Sequence, residues 1–350
     1  MRRLAFVAVG LSLALVGCST TPSSDTSPAS ENRAVVLVTG GALVTPFTTP
    51  TAACKDGDGF LSAGNTNTAL RTFLLTEGKQ VYTAPAMNDW GPVQEPSPDS
   101  LGPFTDCPPP LPESMTILTT GDLNAGGERL ARFINYLHTE YGITDVDLVG
   151  HSSGGLWSRA AIKVLKDTNA PVTVRSLTTL GTPHVGAIPP RFHAGEIDLA
   201  SCMGQAFCEK TVQGWNDLVT STDKGLSAED TVRYLSGPGR WSAAQGDALD
   251  GIPVTLMAGT YFEATGGDPL LWPSDGTVSR YSALASDVPD SVMPLRSCWQ
   301  APLVHWVGYA VELGVPWTES ITDNPDALAR VNQAIDESDT SSEKPNRQGC

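Results

Sequence analysis

The chain has 350 residues, 40% of them hydrophobic and 17% charged, which is enough apolar material to bury one large core. Its 38 acidic residues outweigh 22 basic ones for a formal net charge of −16. A surface of that sign repels phosphate backbones and anionic headgroups, which argues against nucleic-acid binding and against electrostatic docking on acidic lipid.

Residues 1–17 read as an export signal, with Arg2 and Arg3 as its charged start and Leu4 to Val16 as an apolar stretch of thirteen residues. That is shorter than the roughly 18 needed to span a bilayer. The run Leu15, Val16, Gly17, Cys18 resembles the lipobox of bacterial lipoproteins. The resemblance implies a lipid on Cys18 as the first mature residue, and a protein anchored on the outer face of the cell envelope. The six other cysteines, Cys54, Cys107, Cys202, Cys208, Cys298 and Cys350, suggest three disulfides in an exported chain. Of the possible pairings, Cys202 with Cys208 is the short local one. No C-x-x-C pair argues for zinc.

Residues 18–32, rich in Ser, Thr and Pro, cannot build a core and read as a tether, with a catalytic domain expected over 33–338. Ala34 to Val38 is a β-branched run that stops at Thr39, Gly40 and Gly41, as a buried strand would. A helix is expected over Thr68 to Glu77 and a strand over Gln80 to Thr83. Nine prolines between Pro85 and Pro112 leave an irregular excursion, which Cys107 would pin. Glu128 to Tyr141 is amphipathic and stops at Gly142. Further strands are expected at Asp145 to Val149, Val172 to Leu180 and Val254 to Tyr261, with helices at Gly154 to Lys166 and Pro325 to Ser338. This alternation predicts an α/β fold, a mostly parallel central sheet with helices on both faces. The polar, Gly-rich interval 187–250 breaks the rhythm and reads as a cap insertion, and 339–350 as a polar tail.

Gly150, His151, Ser152, Ser153 and Gly154 form a G-x-S-x-G pattern between a predicted strand and a predicted helix. A nucleophile in such an elbow sits on a strained turn that needs small flanking residues, and the helix N-terminus favours negative charge there. A serine hydroxyl needs a base and an orienting acid. Of the five histidines, His138, His151, His184 and His193 come too early for the order Ser, acid, His, which leaves His305. For the acid, Asp275 in an Asp-Gly turn beyond the strand Val254 to Tyr261 is preferred, with Asp268 as its rival. His184 reads as a structural residue beside the site. Phe192, Phe207, Trp215 and Trp241 read as a small core of the cap, with the lining of an acyl pocket as the alternative.

Four patches, Leu37 to Ala42 (L-V-T-G-G-A), Val149 to Gly155 (V-G-H-S-S-G-G), Leu180 to Gly186 (L-G-T-P-H-V-G) and Ser274 to Ala283 (S-D-G-T-V-S-R-Y-S-A), resemble the bacterial triacylglycerol lipases and esterases of the α/β-hydrolase superfamily. The resemblance implies the α/β-hydrolase fold, a triad of Ser152, Asp275 and His305, and an oxyanion hole made by the amides of Gly41 and Ser153. Thr39 stands where those lipases carry a His, which leaves the first donor open between Gly40 and Gly41. Trp306, Val307 and Gly308 follow His305 where such lipases carry a calcium-binding Asp, so calcium is not carried over. Asp56 to Gly59 lacks the remaining ligands of a calcium loop and reads as a turn.

These residues predict an exported serine ester hydrolase acting on lipid or acyl esters, with no metal and no organic cofactor. An acyltransferase would use the same triad, and a peptidase has no positive sign. A catalytically silent lipid-binding envelope lipoprotein is opposed by the complete Ser, Asp, His order.

Overall fold

The computed structural model describes residues 32–52, 54, 64–88, 106–222, 229–338 and 350. The expected signal, Cys18, nearly all of the tether, Asp56 to Gly59 and residues 339–349 of the tail lie outside these. In chain order the strands are β1 (Arg33–Val38), β2 (Val81–Thr83), β3 (Ala86–Met87), β4 (Ile117–Leu118), β5 (Asp145–His151), β6 (Thr173–Leu180), β7 (Val254–Gly259) and β8 (Arg296–Ala301). The helices are α1 (Gly64–Thr76), α2 (Leu123–Tyr141), α3 (Gly154–Asp167), α4 (Ile188–His193), α5 (Ala206–Thr222), α6 (Val232–Leu235), α7 (Trp241–Ala244), α8 (Arg280–Ala283), α9 (Val307–Leu313) and α10 (Pro325–Glu337). None of the described helices is long and apolar enough to cross a membrane.

Six strands form one parallel sheet in the order β2-β1-β5-β6-β7-β8. Successive side chains of β1 divide between its faces. Ala34, Val36 and Val38 join α2 and α3 through Leu130, Phe133, Ile134, Leu156 and Trp157. Val35 and Leu37 join α1 and α10 through Leu70, Leu74, Leu328 and Val331. Both faces are therefore covered, as an all-parallel sheet requires, and Ala34 to Val38 of β1 reads as an unbroken apolar run for that reason. With the sharp turn at Ser152 following β5, this is the α/β-hydrolase architecture expected from the sequence.

Three differences from the sequence reading have physical causes. Helix α2 begins five residues earlier than its apolar periodicity indicates, with Asp122 capping the Ala125 amide at 2.7 Å. Its first turns carry Gly126 and Gly127, where a Cβ would come within 2.5 Å of the Trp157 ring and 2.3 Å of the Ala160 Cβ. Those glycines, poor helix formers in isolation, let α2 and α3 touch. Strand β8 was not expected because it lies at the sheet edge and only one of its six residues, Arg296, is buried, so it carries no apolar alternation. Among its described residues, the proline-rich stretch holds a strand at Ala86–Met87, paired with β4 in a separate two-stranded ribbon.

All six described cysteines are paired, as Cys54–Cys107, Cys202–Cys208 and Cys298–Cys350. The first joins the segment after β1 to the end of the proline-rich stretch. The third ties the chain's last residue to the edge strand β8.

Candidate active site

Strand β5 ends at His151 and α3 begins at Gly154, so Ser152 and Ser153 make the entire turn between them. Ser152 accordingly sits at φ 53°, in the left-handed region that costs a side-chain-bearing residue about 1–3 kcal/mol. The turn is held against its neighbour: the Ser152 amide donates to the Leu180 carbonyl at 2.9 Å, and the Thr182 hydroxyl donates to the Ser152 carbonyl at 2.8 Å. At Gly154 a Cβ would meet the carbonyl oxygen of Val38 at 2.4 Å, so α3 can start here only without a side chain.

The predicted acid and base meet. The loop between β7 and α8 turns so that Asp275, fully buried, accepts from the amides of Thr277 (2.9 Å) and Val278 (2.7 Å) through Oδ1. Its Oδ2 faces Nδ1 of His305 at 2.6 Å. The His305 amide also donates to the Asp275 carbonyl at 2.9 Å, so backbone and side chain lock the pair together. Because a carboxylate only accepts, Nδ1 carries the proton and Nε2 of His305 is left with a free lone pair. Asp268 lies elsewhere, exposed and accepting from the Leu270 amide at 2.9 Å.

The walls of the site come from several strand ends. A Cβ on Gly40, after β1, would lie 2.6 Å from the Ser152 Cβ. Gly181, after β6, has φ +57°, and a Cβ there would lie 2.8 Å from Asp275 Oδ2 and 2.9 Å from His305 Nδ1. Thus Gly40, Ser152, Gly181, Asp275 and His305 converge at the carboxyl ends of adjacent parallel strands, where open α/β sheets bind their ligands. Gly41 is also here: a Cβ on it would be 3.4 Å from Ser153 Oγ. The next amide, that of Ala42, is consumed by the Thr119 carbonyl at 3.1 Å. Thr39 turns away from the site, its hydroxyl paired with that of Thr66 at 2.8 Å.

Two histidines are held neutral. Burial, and then the neighbouring His305, keep His151 well below the usual imidazole range. Its Nε2 lies 2.9 Å from the His305 carbonyl oxygen, so the proton is on Nε2 and the buried Nδ1 is a bare acceptor with no partner among the described residues. His184 is kept well below its usual range by burial and then by Arg159 and Arg296. It receives Arg159 Nη1 on Nδ1 at 3.3 Å and faces the Thr179 hydroxyl through Nε2 at 3.2 Å, a structural placement under the site. Arg159 is buried beneath the Trp241 ring at 4.9 Å, so Trp241 serves the interior rather than a pocket.

Phe207 stacks on Phe262 at 4.6 Å and meets Tyr309 edge-on at 4.9 Å. All three rings would touch a Cβ on Gly276, beside Asp275. The sequence grouped Phe207 with the cap core, whereas the fold sets it against the acid loop.

Asp230 was not foreseen. It is buried, and its Oδ2 accepts from the hydroxyl of Ser153 at 2.6 Å. No motif surrounds it, and 77 residues separate it from Ser153, so no sequence signal could have found it.

A family model described as "Putative serine esterase (DUF676)" matches residues 113–213, a span that holds Ser152, Ser153 and His184 but neither Asp275 nor His305. The chain is 44% identical over 64 residues to a triacylglycerol lipase of Pseudarthrobacter phenanthrenivorans, covering 18% of each protein. It is likewise 44% identical over 64 residues to a triacylglycerol lipase of Burkholderia plantarii, covering 18% of this chain and 16% of that one. The matched stretch thus spans less than a fifth of either curated relative. Among solved structures, a Bacillus licheniformis lipase in its propeptide form aligns with TM-score 0.49 and 13% identity over 93% of this chain and 53% of that one. The naproxen esterase of Bacillus subtilis aligns with TM-score 0.41 and 12% identity over 88% and 84%.

Proposed function

We propose that the protein is an exported serine ester hydrolase, a lipase or carboxylesterase, which cleaves lipid or acyl esters through an acyl-enzyme on Ser152. The observation that carries this reading is a strained elbow serine directly after β5 together with a hydrogen-bonded His305–Asp275 pair on the loops that follow β7 and β8 of the same sheet. The similarity to serine esterases and triacylglycerol lipases supports it.

In this mechanism Ser152 Oγ attacks the ester carbonyl while Nε2 of His305 takes its proton. Asp275 holds the imidazole in the required tautomer and stabilises the cation that forms. The amides of Gly41 and Ser153 receive the developing oxyanion, and the N-terminus of α3 adds its positive end. Neither amide donates to another described residue. His305 then gives its proton to the leaving alcohol, and water attacks the acyl-enzyme with His305 as base. The steps use no metal or organic cofactor. Residues 1–17 would direct export, and a lipid on Cys18 would anchor the enzyme at the outer face of the envelope.

The test is hydrolysis of p-nitrophenyl esters from short to long acyl chains by the wild type and by Ser152→Ala. The variant is expected to lose at least about 10⁴-fold in kcat while keeping the wild-type melting temperature. The chain-length optimum assigns lipase or short-chain esterase. A folded Ser152→Ala protein that retains activity overturns the assignment. Wild-type protein that is silent until an acyl acceptor is added points to acyl transfer by the same triad.

A further inference from the structure

One buried carboxyl group in contact with the elbow has no part in the mechanism above. Asp230 lies in the long connection from β6 to β7, far in sequence from the triad. Its Oδ2 accepts from Ser153 Oγ at 2.6 Å. Its backbone carbonyl accepts from the amide of Ala187, at the start of the same connection, at 2.9 Å. Asp230 therefore fastens both arms of that connection to the nucleophile turn. Nearby, Glu229 accepts from the Leu123 amide at the start of α2 at 2.6 Å. Glu196 accepts from the amides of Val232 (3.2 Å) and Arg233 (2.9 Å), so the whole segment is clamped.

The Ser153 hydroxyl lies between Asp230 and Gly41, since a Cβ on Gly41 would come within 3.4 Å of it. Gly41 and Ser153 are the two residues whose amides receive the oxyanion in the proposed mechanism. The second carboxyl oxygen of Asp230, Oδ1, is buried with no hydrogen-bond partner among the described residues. Burial pushes this carboxyl up to about 6, and the Ser153 hydroxyl only partly offsets it. A half-satisfied buried acid is a poor stabilising device, which directs attention to what its one side-chain bond holds in place.

We infer that Asp230 is a positioning residue for the oxyanion hole: by holding the Ser153 hydroxyl it fixes the Ser153 amide opposite Gly41, and it makes acyl transfer depend on the seating of the β6–β7 connection. The inference rests on the proposed serine-hydrolase function. It assigns Asp230 no contact with substrate and no proton transfer.

The experiment is steady-state hydrolysis of one p-nitrophenyl ester by the wild type and by Asp230→Asn, Asp230→Ala, Ser153→Ala and the Asp230→Ala/Ser153→Ala pair, each checked for fold by circular dichroism and thermal melting. An Asn oxygen still accepts from Ser153, so Asp230→Asn is expected to stay within about threefold of wild-type kcat. Asp230→Ala and Ser153→Ala are each expected to lower kcat about tenfold with KM within about twofold, because an oxyanion donor acts in the transition state. The double variant is expected to match Ser153→Ala alone, since both changes break one interaction. Losses that multiply to about a hundredfold, a loss confined to KM, or Asp230→Ala within about twofold of wild type in kcat would overturn the inference. Should Asp230→Ala fail to fold, Ser153→Ala and Asp230→Asn decide: Ser153→Ala must lose kcat, and Asp230→Asn must keep it. Activity surviving in Ser152→Ala sinks the parent function separately, whatever the Asp230 variants do.

Discussion

Nε2 of His151 donates to the backbone carbonyl of His305 at 2.9 Å, and the two imidazole rings lie 4.7 Å apart. The residue before the elbow serine therefore steadies the chain that carries the proposed base. It does so as a neutral group, because burial disfavours its cation. A charged imidazole at that distance would oppose the imidazolium that His305 becomes in the proposed mechanism.

His151→Phe keeps a flat ring beside His305 and removes the hydrogen bond. It is expected to lower kcat about tenfold with little change in KM, and to cost about 1–2 kcal/mol of stability by leaving the His305 carbonyl unpaired. Kinetics on one ester together with urea unfolding checks both numbers. Unchanged kcat would remove His151 from any role in placing the base.

Asp275→Asn puts an amide opposite His305 Nδ1. If its nitrogen faces the ring, Nδ1 must accept and the proton moves to Nε2, where a base needs a lone pair. The expected loss is about 10⁴-fold in kcat near neutral pH with the fold retained. Asp268→Asn, at the exposed rival position, is expected to leave kcat within about twofold, and the reverse result would exchange the two assignments.

Asp323, a group outside the triad, gives a pH-dependent stability. Burial pushes its carboxyl up to about 6, with the Thr322 hydroxyl lowering it slightly. Because the folded value exceeds the unfolded one, its favourable contribution is complete below about pH 4 and is lost as pH rises through about 6. Asp323→Asn removes that loss. The variant should match the wild type near pH 4 and exceed it by about 1–2 kcal/mol at pH 7, a figure reduced for partial solvent screening. Urea melts at both values measure it, and a constant difference across the range would contradict the assignment.

The Cys298–Cys350 bond closes a separation of 52 residues and ends on the edge strand β8. Cys350→Ser is expected to destabilise the protein by about 2–4 kcal/mol through the freed unfolded chain. Because β8 leads into His305, activity near the melting range should fall with it. A melting temperature unchanged from wild type would show that the tether does not hold β8.

The sequence by itself determined whatever depends on local pattern. Short β-branched and apolar stretches placed β1, β5, β6 and β7, and the Gly-x-Ser-x-Gly spacing placed Ser152 on a strand-to-helix turn. The order of the histidines singled out His305, and a parity count of cysteines anticipated three disulfides. Edge and contact features escaped it. Strand β8 is mostly not buried and so lacks periodicity, and Gly126 and Gly127 disguise the start of α2 because their value lies in contact with α3. The sequence preferred Asp275 over Asp268, but that one carboxylate meets Nδ1 of His305 while the other stays in solvent is set by how the β7–α8 loop folds. Asp230 and the supporting bond from His151 belong wholly to tertiary structure. Each joins residues 77 or 154 positions apart, and a hydrogen bond across such a distance leaves no periodicity, spacing or composition for a sequence to display.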